Sequence, residues 1–241
     1  MTIEAISSAI ERAGLVPRGA LRLEASERTG ELAGIRTIVL AGMAGREGWS
    51  AFAASPEARD RAGHPLDRFS RRVIGGLARE LGAKALFPFG GPPFLPFQQW
   101  ARRAEPVHPS PIGILIHPRY GLWHSYRGAL GFREALDIPE PAAAPSPCDS
   151  CSERWCLKAC PVDAFSDAGY EVAACAGYLT SAEGADCMGL GCRARRACPI
   201  GAEHAYGPDE ANFLMRAFLR AWDAGSGVRP RIHWIGPRPC V

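Results

Sequence analysis

The cysteines constrain this chain more than any other feature of its sequence. Nine cysteines occur in 241 residues, and all of them follow residue 147. When Cys240 is set aside, they form two runs of four, each closed by a Cys-Pro pair: Cys148, Cys151, Cys156 and Cys160, then Cys175, Cys187, Cys192 and Cys198. A chain of this length buries about 70% of its unfolded surface without covalent help. The cysteines therefore require a chemical explanation.

The spacing of the first run predicts iron–sulfur ligation. It reads C-x2-C-x4-C-x3-C-P, close to the ferredoxin run C-x2-C-x2-C-x3-C-P, whose fourth cysteine binds the other cluster of a pair. By this logic the two runs exchange one ligand. The first set is Cys148, Cys151, Cys156 and Cys198, and the second set is Cys160, Cys175, Cys187 and Cys192. We expect each set to hold one [4Fe–4S] cluster.

Two other uses of cysteine stay open at this stage. Structural zinc sites also take four cysteines, but they usually present two C-x2-C knuckles, and this chain has one, at Cys148 and Cys151. A disulfide framework suits an exported chain, whereas the odd total of cysteines and the acidic Glu4, where a signal peptide is basic, argue against export. Cys240 is interpreted as a bystander near the end of the chain.

Composition and charge predict a cytoplasmic protein and favour neither a membrane nor a nucleic-acid partner. The chain is 47% hydrophobic and 22% charged, as ordinary globular proteins are. Its longest apolar run, Thr37–Gly45, falls short of the roughly 18 residues of a membrane span. The net charge is +3, and one tight basic cluster occurs, at Arg193, Arg195 and Arg196. We interpret this cluster as a solvated turn, with docking of an acidic redox partner or an RNA as the alternative.

The segments before the cysteines predict an α/β or α+β domain. Helical periodicity marks 2–13, 69–81 and 97–104, and short apolar runs mark strands at 37–41, 85–89 and 112–116. Four prolines within 139–147 predict a semi-rigid linker. The predicted organisation is a first domain over 1–138, a linker over 139–147, and a cysteine domain over 148–241 that ends in a helix at 209–224 and an irregular tail.

The cysteine block at 148–199 resembles the dicluster ferredoxin domain of epoxyqueuosine reductases and reductive dehalogenases. Its segment Cys175–Thr180 is similar to the lone-cysteine motif of the epoxyqueuosine reductases. The block departs from them at C-x4-C-x5-C-P, where they have tighter spacing. The resemblance implies a ferredoxin-like domain with two [4Fe–4S] clusters, next to a corrinoid-binding domain.

A second resemblance lies in the first domain. Residues Gly113–Gly128 resemble the strand pair of cobalamin-processing proteins of the methylmalonic aciduria type C family, which have a nitroreductase-like fold. The resemblance implies a nitroreductase-like domain that binds cobalamin. The matching residues that would contact this cofactor are His117, Gly121, Trp123, Arg127 and Gly128. Arg127 would grip the carboxylate of a thiol co-substrate, and Tyr120 would offer a catalytic phenol.

Each of these residues also has an ordinary structural interpretation. A histidine beside an apolar strand, such as His117, is often a hydrogen-bonded core residue, and Trp123 suits a core as well. Arg127 would then cap strand carbonyls. The aromatic loop Phe87–Phe97 would serve either as a platform for a flat ring or as a plain buried loop.

These patterns predict an iron–sulfur oxidoreductase that processes or reduces a corrinoid. An external donor, such as a ferredoxin, flavodoxin or reductase, would supply electrons through the two clusters. One alternative is a ferredoxin-type electron carrier with no small-molecule site. Another is an epoxyqueuosine-reductase-like enzyme, although Glu105 is the one acid between Phe97 and Ile112 that could replace the acidic proton donor of those enzymes.

Two further candidates for the site are the tyrosine side chains and a flavin cofactor. Tyr120 and Tyr126 would share one face if their segment were a regular strand. Flavin is less favoured than a corrinoid because the sequence has neither a G-x-G-x-x-G motif nor a phosphate loop.

Overall fold

The structure is a computed structural model that describes residues 1–140, 143–166 and 168–224. Its helices are α1 (Ile3–Arg12), α2 (Trp49–Ala53), α3 (Pro56–Arg59), α4 (Pro65–Glu80), α5 (Phe97–Ala104), α6 (Trp155–Lys158), α7 (Val172–Leu179), α8 (Ala185–Leu190), α9 (Arg193–Arg196) and α10 (Pro208–Ala224). Its strands are β1 (Val16–Arg22), β2 (Thr37–Ala44), β3 (Lys84–Leu86), β4 (His108–Pro109), β5 (Leu115–Ile116), β6 (His124–Phe132), β7 (Phe165–Ser166) and β8 (Gly169–Tyr170). The predicted C-terminal tail and Cys240 lie outside the described residues.

The chain divides into two compact units, and the division cuts the sequence three times. The sheet unit comprises Met1–Pro106 and His124–Ala144, and the cysteine unit comprises Val107–Trp123 and Pro145–Val241. The last boundary falls inside the predicted linker, whose described residues form neither helix nor strand. The sequence prediction assigns 107–123 to the first domain, whereas the structure groups this segment with the cysteines.

The sheet unit contains a four-stranded antiparallel sheet in the order β1-β2-β6-β3. Strand β2 is buried at every position, as expected for a central strand whose two faces are both covered. Helix α4 packs against β3 and β6, while α1 and α5 pack against β1. The architecture is therefore mixed α/β, as the sequence predicts, with an antiparallel sheet.

The sequence pattern does not predict two strands of this sheet, β1 and β6. Strand β1 is the less expected of the two. Its sequence contains Pro17 and Gly19, which are unusual within strands. The structure accommodates both at a bulge that follows Pro17. Gly19 has a φ of 74°, and a Cβ there would overlap the carbonyl oxygen of Ala104 on α5. Between these two residues, the side chain of Arg18 is fully buried.

The cysteine unit is built from short elements. Its strands form two hairpins of two-residue strands, β4–β5 and β7–β8, and α6 and α9 have four residues each. Helix α10 packs against α7 and α8. The core joins the segment 107–123 to the cysteine region through Ile112, Ile116, Leu122, Cys160, Ala164 and Ala194.

The predicted elements agree with the structure where an amphipathic helix is long enough to show periodicity. Helix α5 spans the predicted residues, and α1 and α10 begin within one residue of their predicted starts. The strands predicted at 85–89 and 112–116 form over only part of their length. Strand β3 ends at Leu86, and β5 begins at Leu115. Burial is partial as well, because Leu86 is the one buried residue of 85–89 and Ile114 is exposed.

Candidate metal centres

The four cysteines of the first set line one cavity of about 270 Å³ in the cysteine unit. Cys148 and Cys151 belong to the segment that follows the linker, where the Cys151 amide donates to the Cys148 carbonyl at 3.2 Å. Cys156 lies on α6 and Cys198 follows α9. Several other lining residues are exposed, among them Trp155, which is 49% exposed. This cavity therefore lies close to the surface of its unit.

The four cysteines of the second set line a separate, smaller cavity of about 20 Å³. Cys175 and Cys187 lie on α7 and α8, and Cys192 is the N-cap residue of α9. Cys160 and Cys187 are buried, and apolar side chains such as Phe165 complete the wall. The two cavities divide the eight cysteines as their sequence spacing does.

Several thiols in the two sets are difficult to ionise without a bound cation. Burial is the largest cause that raises the pKa of the Cys148 and Cys192 thiols to about 11. At Cys148, repulsion from Cys198 and Cys156 raises the pKa further. Burial also raises the pKa of Cys175. These thiols keep their protons at neutral pH unless positive charge replaces them.

Hydrogen bonds to sulfur orient several of the second-set cysteines. The amide of Ala164 donates to Cys160 Sγ at 3.3 Å. At the start of α9, the amide of Arg195 donates to the Cys192 sulfur. Such partners fix the direction of a ligand and tune the group that it holds.

The donor set fits iron–sulfur clusters. Among the described residues, no three histidine, cysteine, aspartate or glutamate side chains converge closely enough to hold a single metal ion. Four thiols surround each of two cavities, and four cysteine thiolates are the usual ligands of a [4Fe–4S] cluster. The number and chemistry of the donors thus match two clusters.

Arg195 ties the segment 107–123 to the cysteine helices. Its Nε donates to the Leu122 carbonyl at 2.9 Å. Its guanidinium stacks on the rings of Trp123 and Tyr206, with 4.9 and 4.5 Å to the ring centroids. No sequence signal separates this arginine from its basic neighbours, because its partners lie far away along the chain.

The other two arginines of the predicted basic cluster are paired as well. Arg193 Nε and Arg196 Nη2 donate to the same Asp186 oxygen at 2.6 and 2.5 Å. The interpretation as a solvated turn is therefore wrong for Arg195, and Asp186 balances part of the charge of the other two. Arg193 and Arg196 are partly exposed and share one carboxylate, so part of their positive charge faces solvent.

His117 and Tyr120, two of the residues predicted around a corrinoid, form a turn in the cysteine unit. His117 Nδ1 accepts the amides of Arg119 and Tyr120 at 3.0 and 3.2 Å. The rings of His117 and Tyr120 lie 4.8 Å apart. Because Tyr120 precedes β6 and Tyr126 lies within it, the two phenols do not share one strand.

Gly121 and Trp123 belong to the same unit. Gly121 has a φ of 54°, and a Cβ there would overlap the carbonyl oxygen of Ile200. Protein packing alone thus requires this glycine. Trp123 is buried, and its indole N–H has no hydrogen-bond partner among the described residues.

Arg127 and Gly128 lie on β6 in the sheet unit. Arg127 Nη2 lies 2.5 Å from Asp67 Oδ1, and its Nε donates to Ser70 Oγ at 3.0 Å. A Cβ on Gly128 would come within 2.7 Å of Ile74 Cδ1. None of the five residues predicted to contact a corrinoid lines either cysteine cavity, and their cofactor role stays a prediction.

The sheet unit also holds a buried polar network that the sequence does not reveal. Arg18 Nη2 and Nε donate to the two Glu105 oxygens at 2.6 and 3.1 Å. The same Nη2 lies 3.1 Å from His124 Nδ1, and the Tyr126 hydroxyl donates to Glu105. Burial, followed by the charge of Glu105, raises the pKa of Tyr126. Glu105, the single acid noted in its segment, is therefore the partner of a buried arginine.

Together the antiparallel sheet unit and the two four-cysteine cavities define a two-unit α/β protein with two sets of four thiol donors. Among solved structures, this fold is similar to that of epoxyqueuosine reductases. The structure of epoxyqueuosine reductase from Streptococcus thermophilus matches 94% of this chain and 76% of its own, with a TM-score of 0.53 and 15% identity. That of a selenomethionine-labelled epoxyqueuosine reductase matches 86% and 68%, with a TM-score of 0.55 and 13% identity.

A third similar structure is an epoxyqueuosine reductase crystallised with an epoxyqueuosine-modified tRNA stem loop. It matches 86% of this chain and 69% of its own, with a TM-score of 0.51 and 15% identity. No family model matches the sequence, and no curated protein matches it. At these identities the likeness concerns the fold. Within the described residues, no helix is long and apolar enough to cross a membrane.

Proposed function

We propose that this chain is an iron–sulfur oxidoreductase whose cysteine unit carries two [4Fe–4S] clusters. The observation that carries the proposal is the presence of four cysteines around each of two separate cavities. The raised pKa values of several of these thiols support it, because each set needs positive charge at its centre. The similar fold of the epoxyqueuosine reductases adds support for a redox enzyme.

The two cysteine sets would have different tasks. When bound, the clusters supply one-electron transfer. The exposed Trp155 beside the first set leaves that cavity open to approach by an external donor such as a ferredoxin, flavodoxin or reductase. Around the second set, the buried Cys160 and Cys187 and the apolar wall exclude water. We therefore assign the donor side to the first set.

Anaerobic reconstitution with iron and sulfide tests the proposal. About eight iron and eight sulfide per chain are expected, with two reducible centres in electron paramagnetic resonance (EPR) spectra. Cys151→Ala and Cys187→Ala should each remove one centre. Cys240→Ala is the matched control and should keep both. Bound zinc in place of iron, or a single centre in the wild type, would overturn the proposal.

Reduction of a nucleoside in RNA is the narrower function that the fold comparisons favour. The match extends over most of the chain, and one similar reductase was crystallised with a tRNA stem loop. This finding conflicts with the expectation, drawn from composition, that nucleic acid is not a partner. The pairing of Glu105 with Arg18 argues against nucleoside reduction. Glu105 is the one acid between Phe97 and Ile112 that could replace the acidic proton donor of the epoxyqueuosine reductases, and the ion pair already engages its carboxylate.

Incubation of the reduced, cluster-loaded protein with hydroxocobalamin and epoxyqueuosine-containing tRNA tests this narrower function. Two electrons from the external donor and two protons would remove the epoxide oxygen as water. Mass spectrometry of the released nucleosides should then show a product lighter by one oxygen. An unchanged nucleoside would refute nucleoside reduction and leave the iron–sulfur assignment intact.

Corrinoid chemistry is the second narrower function, and it is supported by the sequence resemblance of Gly113–Gly128. Trp123 retains a buried donor without a partner among the described residues, whereas Gly121 and Gly128 are already required by protein packing. Titration with hydroxocobalamin should shift the corrinoid absorbance bands saturably. A spectrum that stays that of the free cofactor would refute this function and favour a ferredoxin-type electron carrier.

A further inference from the structure

The net positive charge of the chain is concentrated in one segment of the sheet unit. Residues 56–94 contain seven arginines and lysines and four aspartates and glutamates, and their net charge of +3 equals that of the whole chain. This segment comprises α3, α4, β3 and the first part of the aromatic loop Phe87–Phe97. The other residues of the chain sum to zero charge, so attraction for a polyanion is expected to be strongest at this segment.

Arg71 of α4 lies over two phenyl rings and has no acidic partner. Its guanidinium carbon is 5.2 Å from the ring centroid of Phe87 and 5.1 Å from that of Phe89. The neighbouring Arg72 pairs with Glu57 at 2.5 Å, whereas no carboxylate pairs with Arg71 in the part of the chain that the structure describes. Because Arg71 is exposed, its positive charge is available to an anion.

The phenyl rings hold Arg71 without using its hydrogen-bond donors. A phenyl ring accepts no ordinary hydrogen bond, so the contacts with Phe87 and Phe89 leave the five N–H groups of the guanidinium available. The two rings are half-buried, with centroids 5.3 Å apart, and their support restricts the motion of the side chain. An arginine that is already restricted loses less entropy on binding, and its planar group suits a phosphate.

The same loop exposes a third phenyl ring. Phe94 is 65% exposed, more than any other large hydrophobic residue that the structure describes. It follows Phe89 by five residues, so the two Cα atoms are at most about 18 Å apart. Four prolines within 87–97 restrict the backbone of the loop. The interpretation as a plain buried loop is therefore wrong at Phe94, whose ring offers a face on which a nucleic-acid base stacks.

We propose that Arg71, Phe87, Phe89 and Phe94 form a surface, the Arg–Phe surface, that binds single-stranded RNA. Arg71 holds a backbone phosphate, and an unpaired base stacks on Phe94. Positive charge interleaved with aromatic side chains is the usual means by which proteins bind single strands without reading their sequence. The bases of a duplex already stack on one another and are not accessible to Phe94. This inference rests on the RNA function proposed above for its role, whereas the binding itself requires neither cluster.

Fluorescence anisotropy at several salt concentrations tests the proposal. A labelled single-stranded RNA of about 12 nucleotides, within the usual range of site sizes, is titrated with the full chain loaded with clusters. Phe94→Leu should raise the Kd about fivefold or more and leave its dependence on salt unchanged, because the substitution removes stacking and no charge. Arg71→Gln should raise the Kd and reduce the slope of log Kd against log salt by about 0.7, the contribution of one phosphate contact on a single strand.

Arg12→Gln is the matched control for the loss of one charge. Arg12 is exposed on α1, which packs against β1, whereas α4 packs against β3 and β6 on the opposite side of the sheet. This variant should keep both the Kd and the slope of the wild type. Equal effects of Arg12→Gln and Arg71→Gln would overturn the inference and leave only a general attraction for polyanions. An unchanged Kd in Phe94→Leu, or tighter binding of duplex RNA of the same length, would overturn it as well.

Two further measurements separate this inference from loss of fold and from the cluster assignment. Phe94→Trp enlarges the stacking face and should lower the Kd, a gain that an unfolded variant would not give. The iron content of the same preparation reports on the clusters. A chain that binds single-stranded RNA but no iron would refute the iron–sulfur proposal and keep the Arg–Phe surface. A chain with both clusters that does not bind the RNA would overturn the surface and keep the iron–sulfur proposal.

Discussion

The two units of this molecule reach a stable interior by different means. In the sheet unit, β2 is buried at every position, and the buried charge of Arg18 is matched by Glu105 from the same unit. In the cysteine unit, strands of two residues and mostly short helices surround buried Cys160 and Cys187. The interior of the sheet unit is filled and neutralised by its own side chains, whereas the cysteine unit is arranged around groups that its thiols would bind.

Removal of iron is expected to give the largest effect. Because binding free energy at a structural metal site is also folding free energy, the amides of the cysteine unit should exchange hydrogen nearly as fast as in an unfolded chain. Strands β2 and β6 should stay protected. Peptide-resolved hydrogen exchange of the chelated and loaded protein, under anaerobic conditions, measures both units together. Equal protection of the cysteine unit in the two states would contradict this contrast.

Glu105→Gln should produce the next largest effect, in the sheet unit. It removes the carboxylate that pairs with the fully buried Arg18, and breaking a buried ion pair costs about 3–5 kcal/mol. Urea unfolding followed by circular dichroism measures the change in the free energy of unfolding. Glu27→Gln is the control, because Glu27 pairs with Arg103 at 2.7 Å near the surface and should lose about 0–1 kcal/mol. Similar losses of unfolding free energy in the two variants would show that burial does not determine how much the Arg18–Glu105 pair stabilises the fold.

Gly121→Ala is expected to destabilise the cysteine unit. Its new Cβ meets the Ile200 carbonyl, and overpacking adds about 1–3 kcal/mol to the roughly 1–2 kcal/mol of a left-handed backbone. Gly30→Ala is the control, with a φ of 53° and no heavy atom within 4 Å of a Cβ. Thermal unfolding and iron content compare the two variants. If their losses were equal, packing would not explain Gly121, and its predicted cofactor role would gain support.

Glu57→Gln should have the smallest effect and should depend on pH. A hydrogen bond from Arg72 is the largest cause that lowers the pKa of Glu57 from 4.5 to about 2. Because the pKa is depressed in the folded state, this stabilisation is present above about pH 4.5 and is lost as the pH falls toward 2. Arg72 is 52% exposed, so screening by water limits the loss at pH 7 to about 1 kcal/mol or less.

The melting temperature of Glu57→Gln and of the wild type should therefore differ at pH 7 and converge near pH 2. A difference that is the same at both pH values would contradict the assigned ion pair. Because the pair joins α3 to α4 within the sheet unit, the iron content of the variant at pH 7 should equal that of the wild type.

Local sequence predicted the features that depend on local chemistry. Helix α5 was readable because Phe97, Trp100 and Ala101 recur on one face, and this face is the buried one. The spacing of the cysteines grouped them as the two cavities do, because closely spaced ligands of one cluster come from one loop. Cys160 and Cys198 lie far from the rest of their sets, and they were assigned by analogy with the ferredoxin run, whose fourth cysteine binds the other cluster.

Contacts between distant residues decided the rest. Strand β1 was hidden because Pro17 and Gly19 resemble a turn, and the strand forms only where β2 and α5 accept its bulge. Arg18 became a buried residue because Glu105, 87 residues away, supplies its partner. The apolar run that contains Ile112 and Ile116 predicted that these residues would be buried. It did not predict that they would pack into the core of the cysteine unit. By itself the sequence determined the apolar runs and the spacing of the cysteines. The tertiary structure decided which partners these residues met, because pairing energy depends on distances in space that local pattern does not encode.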